Sequence, residues 1–178
     1  MASFTERMIG AAKLDAKTYE EVEHDENALP QAVGVVALSS IAAGIGGLGS
    51  ATSGGFVVTT VVALVGWAVW ALIVYLVGTK LMPEAQTKAD LGQVLRATGF
   101  SAAPGLIRVL GIVPGLGIPS SFVASIWMLV AMVIAVKQAL DYTSLARAIG
   151  VVVIGFIVYM VVFMMLAAPI AVARLIAS

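Results

Sequence analysis

Cysteine is absent from this 178-residue chain, which removes disulfides, thiolate metal sites, iron–sulfur ligation and thiol nucleophiles together. Histidine occurs once, at His24, so an H-E-x-x-H metal motif cannot be written anywhere in the sequence. Charge is scarce as well. Only 11% of residues are Asp, Glu, Lys or Arg, ten acidic against ten basic, a balance that argues for neither nucleic acid nor a strongly anionic partner. Met1 to Asn27 lacks the apolar core segment of a secretory signal, so the first span is expected to act as its own insertion signal.

What fills the chain is apolar: 61% of residues are hydrophobic and the mean hydropathy is +1.05. Soluble domains are only about half apolar, so the expected fold class is an all-α integral membrane protein, a bundle of about five transmembrane helices with an amphipathic N-terminal tail. Five spans of about 20 residues use roughly 100 residues, and a tail with short connections takes the rest. No separate soluble enzyme domain fits.

In the tail, residues 1–28, Phe4, Met8, Ala11, Tyr19 and Val22 recur at helical spacing with charge between them. The run Glu20, Glu21, Glu23, Asp25, Glu26 disfavours anionic headgroups, so the tail is read as docking on the protein's own cytoplasmic face. The membrane domain, 29–178, divides into spans at about 29–50, 56–80, 97–113, 120–140 and 148–169. Pro30 suits a helix start, and Leu91, Val94 and Leu95 suggest an interfacial helix ahead of the third span. That span is short, interrupted by Pro104 and Pro114 among several glycines, open to division into two pieces, and carries Arg108. Asp141 to Arg147 is a brief connection, so the last two spans should pair antiparallel. Arg7, Lys13, Lys17, Lys80, Lys88, Arg96, Lys137 and Arg147 fall on one side and Arg174 alone on the other. By the positive-inside rule the N-terminus is cytoplasmic and the C-terminus external, in an inner or plasma membrane.

Each chemical motif has a plainer reading. Gly44-Ile45-Gly46-Gly47-Leu48-Gly49 matches G-x-G-x-x-G, but no strand precedes it and position 69 is Val69 rather than an acid. Helix packing explains the same residues: Ser40 with Gly44, Ala42 with Gly46 and Ala43 with Gly47 are small-xxx-small pairs that let backbones approach, and they make span one central. Glu20, Glu21 and His24 resemble half of a Glu-x-x-His metal site that a dimer could complete; a solvated acidic helix is the preferred reading, and no metal or cofactor is expected. Arg108 inside a span costs about 2.5–3.5 kcal/mol on insertion scales, to be offset by snorkelling, by carbonyls freed at Pro104 or Pro114, or by a role in an anion path. Lys137 and Asp141 have the spacing of a local ion pair. Trp67, Trp70, Trp127 and Tyr159 read as packing or interface anchors. No span carries a histidine base, and no serine is placed beside Lys137, so the chain is not expected to be an enzyme.

Several landmarks together resemble the Yip domain family in its bacterial branch: Tyr19 with the acidic run, Pro30-Gln31-Ala32, Phe100 with Pro104, Ile112-Val113-Pro114-Gly115-Leu116-Gly117, Ser125-Ile126-Trp127 and Ser144-Leu145-Ala146-Arg147-Ala148. The resemblance implies five spans with a cytoplasmic N-terminus. Eukaryotic members are similar to trafficking adaptors that bind Rab-type GTPases and one another. The Asp-Leu-Tyr-Gly-Pro signature of that branch is missing here, with only Asp90-Leu91-Gly92 nearby, so GTPase binding is not carried across with the fold.

The leading expectation is a non-enzymatic membrane organiser or accessory subunit, with membrane lipids and other membrane proteins or itself as partners and no nucleic acid. The alternatives are a small transporter or channel using the broken third span and Arg108, and metal binding by the tail.

Overall fold

The computed structural model describes residues 2–47 and 55–177, with side chains in the second stretch described over 57–165. The expected end of span one at 48–50, the loop after it and the Arg174 side chain lie outside the described residues.

Every regular element among the described residues is helical. Helix α1 (Phe4–Ala12) opens with a capping box, in which the Ser3 hydroxyl accepts from the Glu6 N–H and the Glu6 carboxylate accepts from the Ser3 N–H. Leu14, in the left-handed region at φ 63°, reverses the chain into α2 (Ala16–His24), which Asp15 caps. The apolar stripe read from the sequence is the docked face: Ala11, Tyr19 and Val22 are fully buried. A 3-10 turn (Glu26–Ala28) then leads into α3 (Leu29–Gly46), with Pro30 in its first turn where a missing N–H is harmless.

Helix α4 (Gly55–Leu76) ends in a π-helical turn (Val77–Leu81), and α5 (Leu91–Phe100) is capped by a second capping box between Asp90 and Gln93. A ten-residue 3-10 helix (Ala103–Ile112) follows, then α6 (Gly117–Ala139) and α7 (Leu145–Ala177), which continues through Pro169.

Among the described residues, four stretches are long and apolar enough to cross a membrane: Glu26–Gly46, Val57–Leu81, Gly117–Ala139 and Leu145–Met165. Their outward faces, Val61 and Val65 on α4, Phe122 and Ile126 on α6, Phe156 and Ile157 on α7, are apolar, as a hydrocarbon solvent requires. The third expected span, 97–113, is not one helix. It starts earlier, at Leu91, and breaks after Phe100, because Pro104 has no N–H for the carbonyl four residues back and its ring would strike it.

The two pieces follow α3 along its length. Gly99 lies against Ala32, Gly105 against Ser39, and Gly111 against Gly46, so this segment runs parallel to α3 from its first turn to its last. A Cβ at Gly99 would stand 2.7 Å from that of Ala32, and Cβ atoms at Gly105 and Gly111 would collide with the Ser39 hydroxyl and the Gly46 carbonyl. Glycine is needed here for close approach.

The turn between α6 and α7 is held from outside. Tyr142 donates to the Gly78 and Met82 carbonyls at 2.9 and 2.7 Å, and Glu84 accepts from the Thr143 N–H and hydroxyl at 3.0 and 2.8 Å and pairs with Arg147 at 3.5 Å.

Candidate functional site

Among the residues read as helix-packing positions, Gly46 lies at backbone distance from the 3-10 helix: an added Cβ would overlap the Arg108 carbonyl oxygen and crowd Gly111. Ser40 faces α4, its hydroxyl donating to the Ala37 carbonyl at 2.8 Å and lying 3.1 Å from that of Thr60. Gly44 is half-buried in α3, and Gly47 ends the helix with its N–H on the Ala43 carbonyl.

Beneath that contact the helices frame an open lateral cavity of about 760 Å³. Ser39 from α3, Trp67 and Trp70 from α4, Met128 from α6, and Phe156 and Tyr159 from α7 are among its walls, and Arg108 projects into it from the 3-10 helix. The guanidinium reaches inward: its Nη2 lies 3.4 Å from the hydroxyl of Ser125, eight residues into α6 from Gly117, the residue level with Gly46 and Gly111. Among the described residues no carboxylate pairs with it. Ser39, only 4% exposed, and the Tyr159 hydroxyl, stacked edge-on beside Trp70 and near Gly66, likewise find no hydrogen-bond partner among the described residues. The described lining contains no His, Lys, Asp or Glu; its one charged side chain is Arg108. The arrangement can hold a ligand with an apolar body and an anionic end.

The second constellation joins the tail to the bundle. Arg7, 2% exposed, pairs with Glu21 at 2.8 Å and Asp25 at 2.7 Å and donates to Gln31 at 3.1 Å, pinning α1 to α2 and to the start of α3. Its guanidinium holds the Glu21 and Asp25 carboxyls below their ordinary range. Trp127 donates to the Ala12 carbonyl at 2.8 Å, Gln138 to Ala16, and Arg96 to the Glu23 carbonyl at 3.0 Å through Nε and again through Nη2. Trp127 is thus an anchor for the tail. Glu23 itself is 1% exposed, its Oε2 has no partner, and burial raises its carboxyl to about 7, with Asp141 and Glu20 adding to the effect and His24 and Arg96 opposing it.

The half metal motif is not assembled. Glu21 is engaged by Arg7, and the His24 Nδ1 lies 2.9 Å from the Glu20 carbonyl oxygen and 3.4 Å from the Glu23 carboxylate. The described residues contain no group of three acids or histidines placed to hold an ion. The expected Lys137–Asp141 pair is also absent among the described residues. Asp141 adopts φ 54°, which takes it off the α6 helix, so four residues no longer bring the side chains together.

Sequence reasoning missed Glu23 and Arg96, which it read as one more solvated acid and one more interfacial base. The signal that could have found them is phase. Glu23 adjoins Val22 and follows Tyr19 by four on the α2 stripe, and Arg96 lies between Leu95 and Ala97 in a helix otherwise apolar on that side.

The family model described as the Yip1 domain matches residues 16–166, most of the chain, from α2 through the described side chains of α7. No curated protein and no solved structure gives a significant match.

Proposed function

This chain belongs to the Yip1 domain family, and from that premise we propose that it works without catalysis, as a membrane organiser or the accessory subunit of a membrane complex, through lateral contacts and its tail. The observation that carries this reading is the docked tail. Arg7, Tyr19, Arg96 and Trp127 fix two short helices against α3, α5 and α6, and leave Ile9, Lys17 and Glu20 exposed on a preformed surface. A surface ordered in advance suits recognition, because little entropy is lost on binding. In the proposed topology the α5 and 3-10 pair makes a fifth crossing, the tail is cytoplasmic and the C-terminus external.

The test is co-purification and crosslinking in mild detergent, with Ile9→Glu placed on the exposed face. A stoichiometric membrane partner or a second copy should accompany the wild-type protein and be lost from the variant at unchanged melting temperature. A wild-type protein that runs as a lone monomer without crosslinks overturns the reading.

A further inference from the structure

We propose that the lateral cavity is a binding site for a single-chain anionic amphiphile drawn from the bilayer, its carboxylate on Arg108 and its chain along the walls formed by Trp67, Met128 and Phe156. This goes beyond the organiser reading and does not depend on it.

Three observations converge. The volume, about 760 Å³, falls in the range of about 300–1,000 Å³ found for pockets that hold small ligands, which suits one chain with one head. The polar groups are few, and while Ser40, Ser125, Trp67 and Trp70 are hydrogen-bonded to the protein, three are left over: Arg108 has a single long contact to Ser125, and Ser39 and Tyr159 have no hydrogen-bond partner among the described residues. A guanidinium without a counter-ion in an apolar bundle is costly, and its planar fork matches a carboxylate through two parallel hydrogen bonds. Finally, access is sideways. Leu129, Val153, Phe156 and Ile157 line the cavity and remain exposed on the lipid-facing surface, so a chain can enter from the bilayer without crossing an aqueous mouth.

Charge complementarity selects the occupant. A neutral chain would fill the walls and leave Arg108 unpaired, and a small anion would neutralise Arg108 and leave the walls empty.

Trp67 and Trp70 line the site whereas Trp127 is held by Ala12 outside it, so a brominated ligand should quench two of the three indoles. The protein is reconstituted in zwitterionic nanodiscs and titrated with a dibrominated stearate at a pH where the carboxylate is ionised, and in parallel with the matching brominated alcohol. Saturable quenching by the acid is expected, with the alcohol at least about tenfold weaker. Arg108→Gln should remove that difference while helicity and melting stay near wild type. If Arg108→Gln fails to fold, the comparison of acid with alcohol on the unmodified protein decides alone. Quenching that never saturates, equal affinity for acid and alcohol, a folded Arg108→Gln protein that still prefers the acid, or displacement of the stearate by acetate at comparable concentration would each overturn the proposal.

Discussion

Replacing Glu23 by glutamine should stabilise the docked tail at alkaline pH and remove most of its pH dependence. Glu23 is 1% exposed, its Oε2 is unpartnered, and burial raises its carboxyl from 4.5 to about 7. A carboxyl whose folded value lies above its unfolded one binds its proton more tightly in the folded state, so its contribution is complete below about pH 4.5 and is lost as the pH rises through about 7. At about 1.4 kcal/mol per pH unit the whole difference is about 3 kcal/mol, or up to a few hundredfold in the population of the detached tail. His24, whose ring is favoured in its charged form first by the Glu20 carbonyl, titrates in the same sense nearby, so the informative quantity is the difference between wild type and Glu23→Gln. Hydrogen exchange of the α2 amides reports tail opening without requiring the bundle to unfold. After correction for intrinsic rates, wild-type opening should increase between pH 5 and 8 more steeply than in the glutamine variant, which keeps only the His24 dependence. Parallel profiles, or wild-type protection that strengthens with pH, would refute the assignment of Glu23 as a buried, proton-binding carboxyl.

Arg7→Gln leaves Glu21, Asp25 and Gln31 without their common donor and should weaken tail docking by about 3 kcal/mol, read as faster proteolysis within residues 1–28. Gly46→Leu should lower the detergent melting temperature far more than Gly155→Leu, because a Cβ at Gly46 meets backbone at Arg108 whereas one at Gly155 meets the Trp70 ring at an ordinary 3.4 Å; equal losses would mean that the α3 contact does not hold the bundle. Reporters fused at the two termini should read opposite sides of the membrane, the N-terminus cytoplasmic, and identical sides would show that the α5 and 3-10 pair does not cross.

Composition and period made the apolar spans legible. Hydrophobic content and run length mark α3, α4, α6 and α7, since a lipid-facing helix must be apolar over about 20 residues whatever its neighbours. The tail was legible too, because Tyr19 and Val22 repeat on one face. Pairing was less so. Arg108 stands out by its charge, but its inward direction depends on the 3-10 winding and on where Ser125 falls on α6, neither of which local sequence determines. The Lys137–Asp141 spacing misled because it presumes that the helix continues, and one residue at φ 54° cancels the geometry. Glu23 was hidden among five acids within seven positions, where only packing against α5 and α6 separates the buried one from the solvated ones.

The broken third segment accounts for both the tight packing at α3 and the placement of Arg108. Its close-approach residues, Gly99, Gly105 and Gly111, recur every six positions, while their counterparts Ala32, Ser39 and Gly46 recur every seven. Gly105 and Gly111 lie within the 3-10 helix, where six residues are two turns, and seven residues are close to two turns of α3, so over that stretch the tighter winding keeps the two faces in register; Gly99 belongs to the α-helical piece before the break. Length follows from the same winding. The stretch of α3 from Ala32 to Gly46 rises roughly 21 Å; Gly99 to Gly111 would rise only about 18 Å as an α-helix throughout, and gains length where 103–111 is wound as a 3-10 helix at about 2.0 Å per residue. A segment that looks too short to match a full span therefore reaches the far end of α3 through the longer rise of its 3-10 part, and glycine at each contact lets it do so at backbone distance. Long 3-10 runs are uncommon because their hydrogen bonds are poorer, which means that packing against α3 and α6, not local propensity, holds this one. Arg108 lies three residues, one 3-10 turn, before Gly111, and so occupies the same face of the 3-10 helix near the α3 contact; the turn-by-turn packing that holds this segment also sets the depth from which its guanidinium enters the cavity.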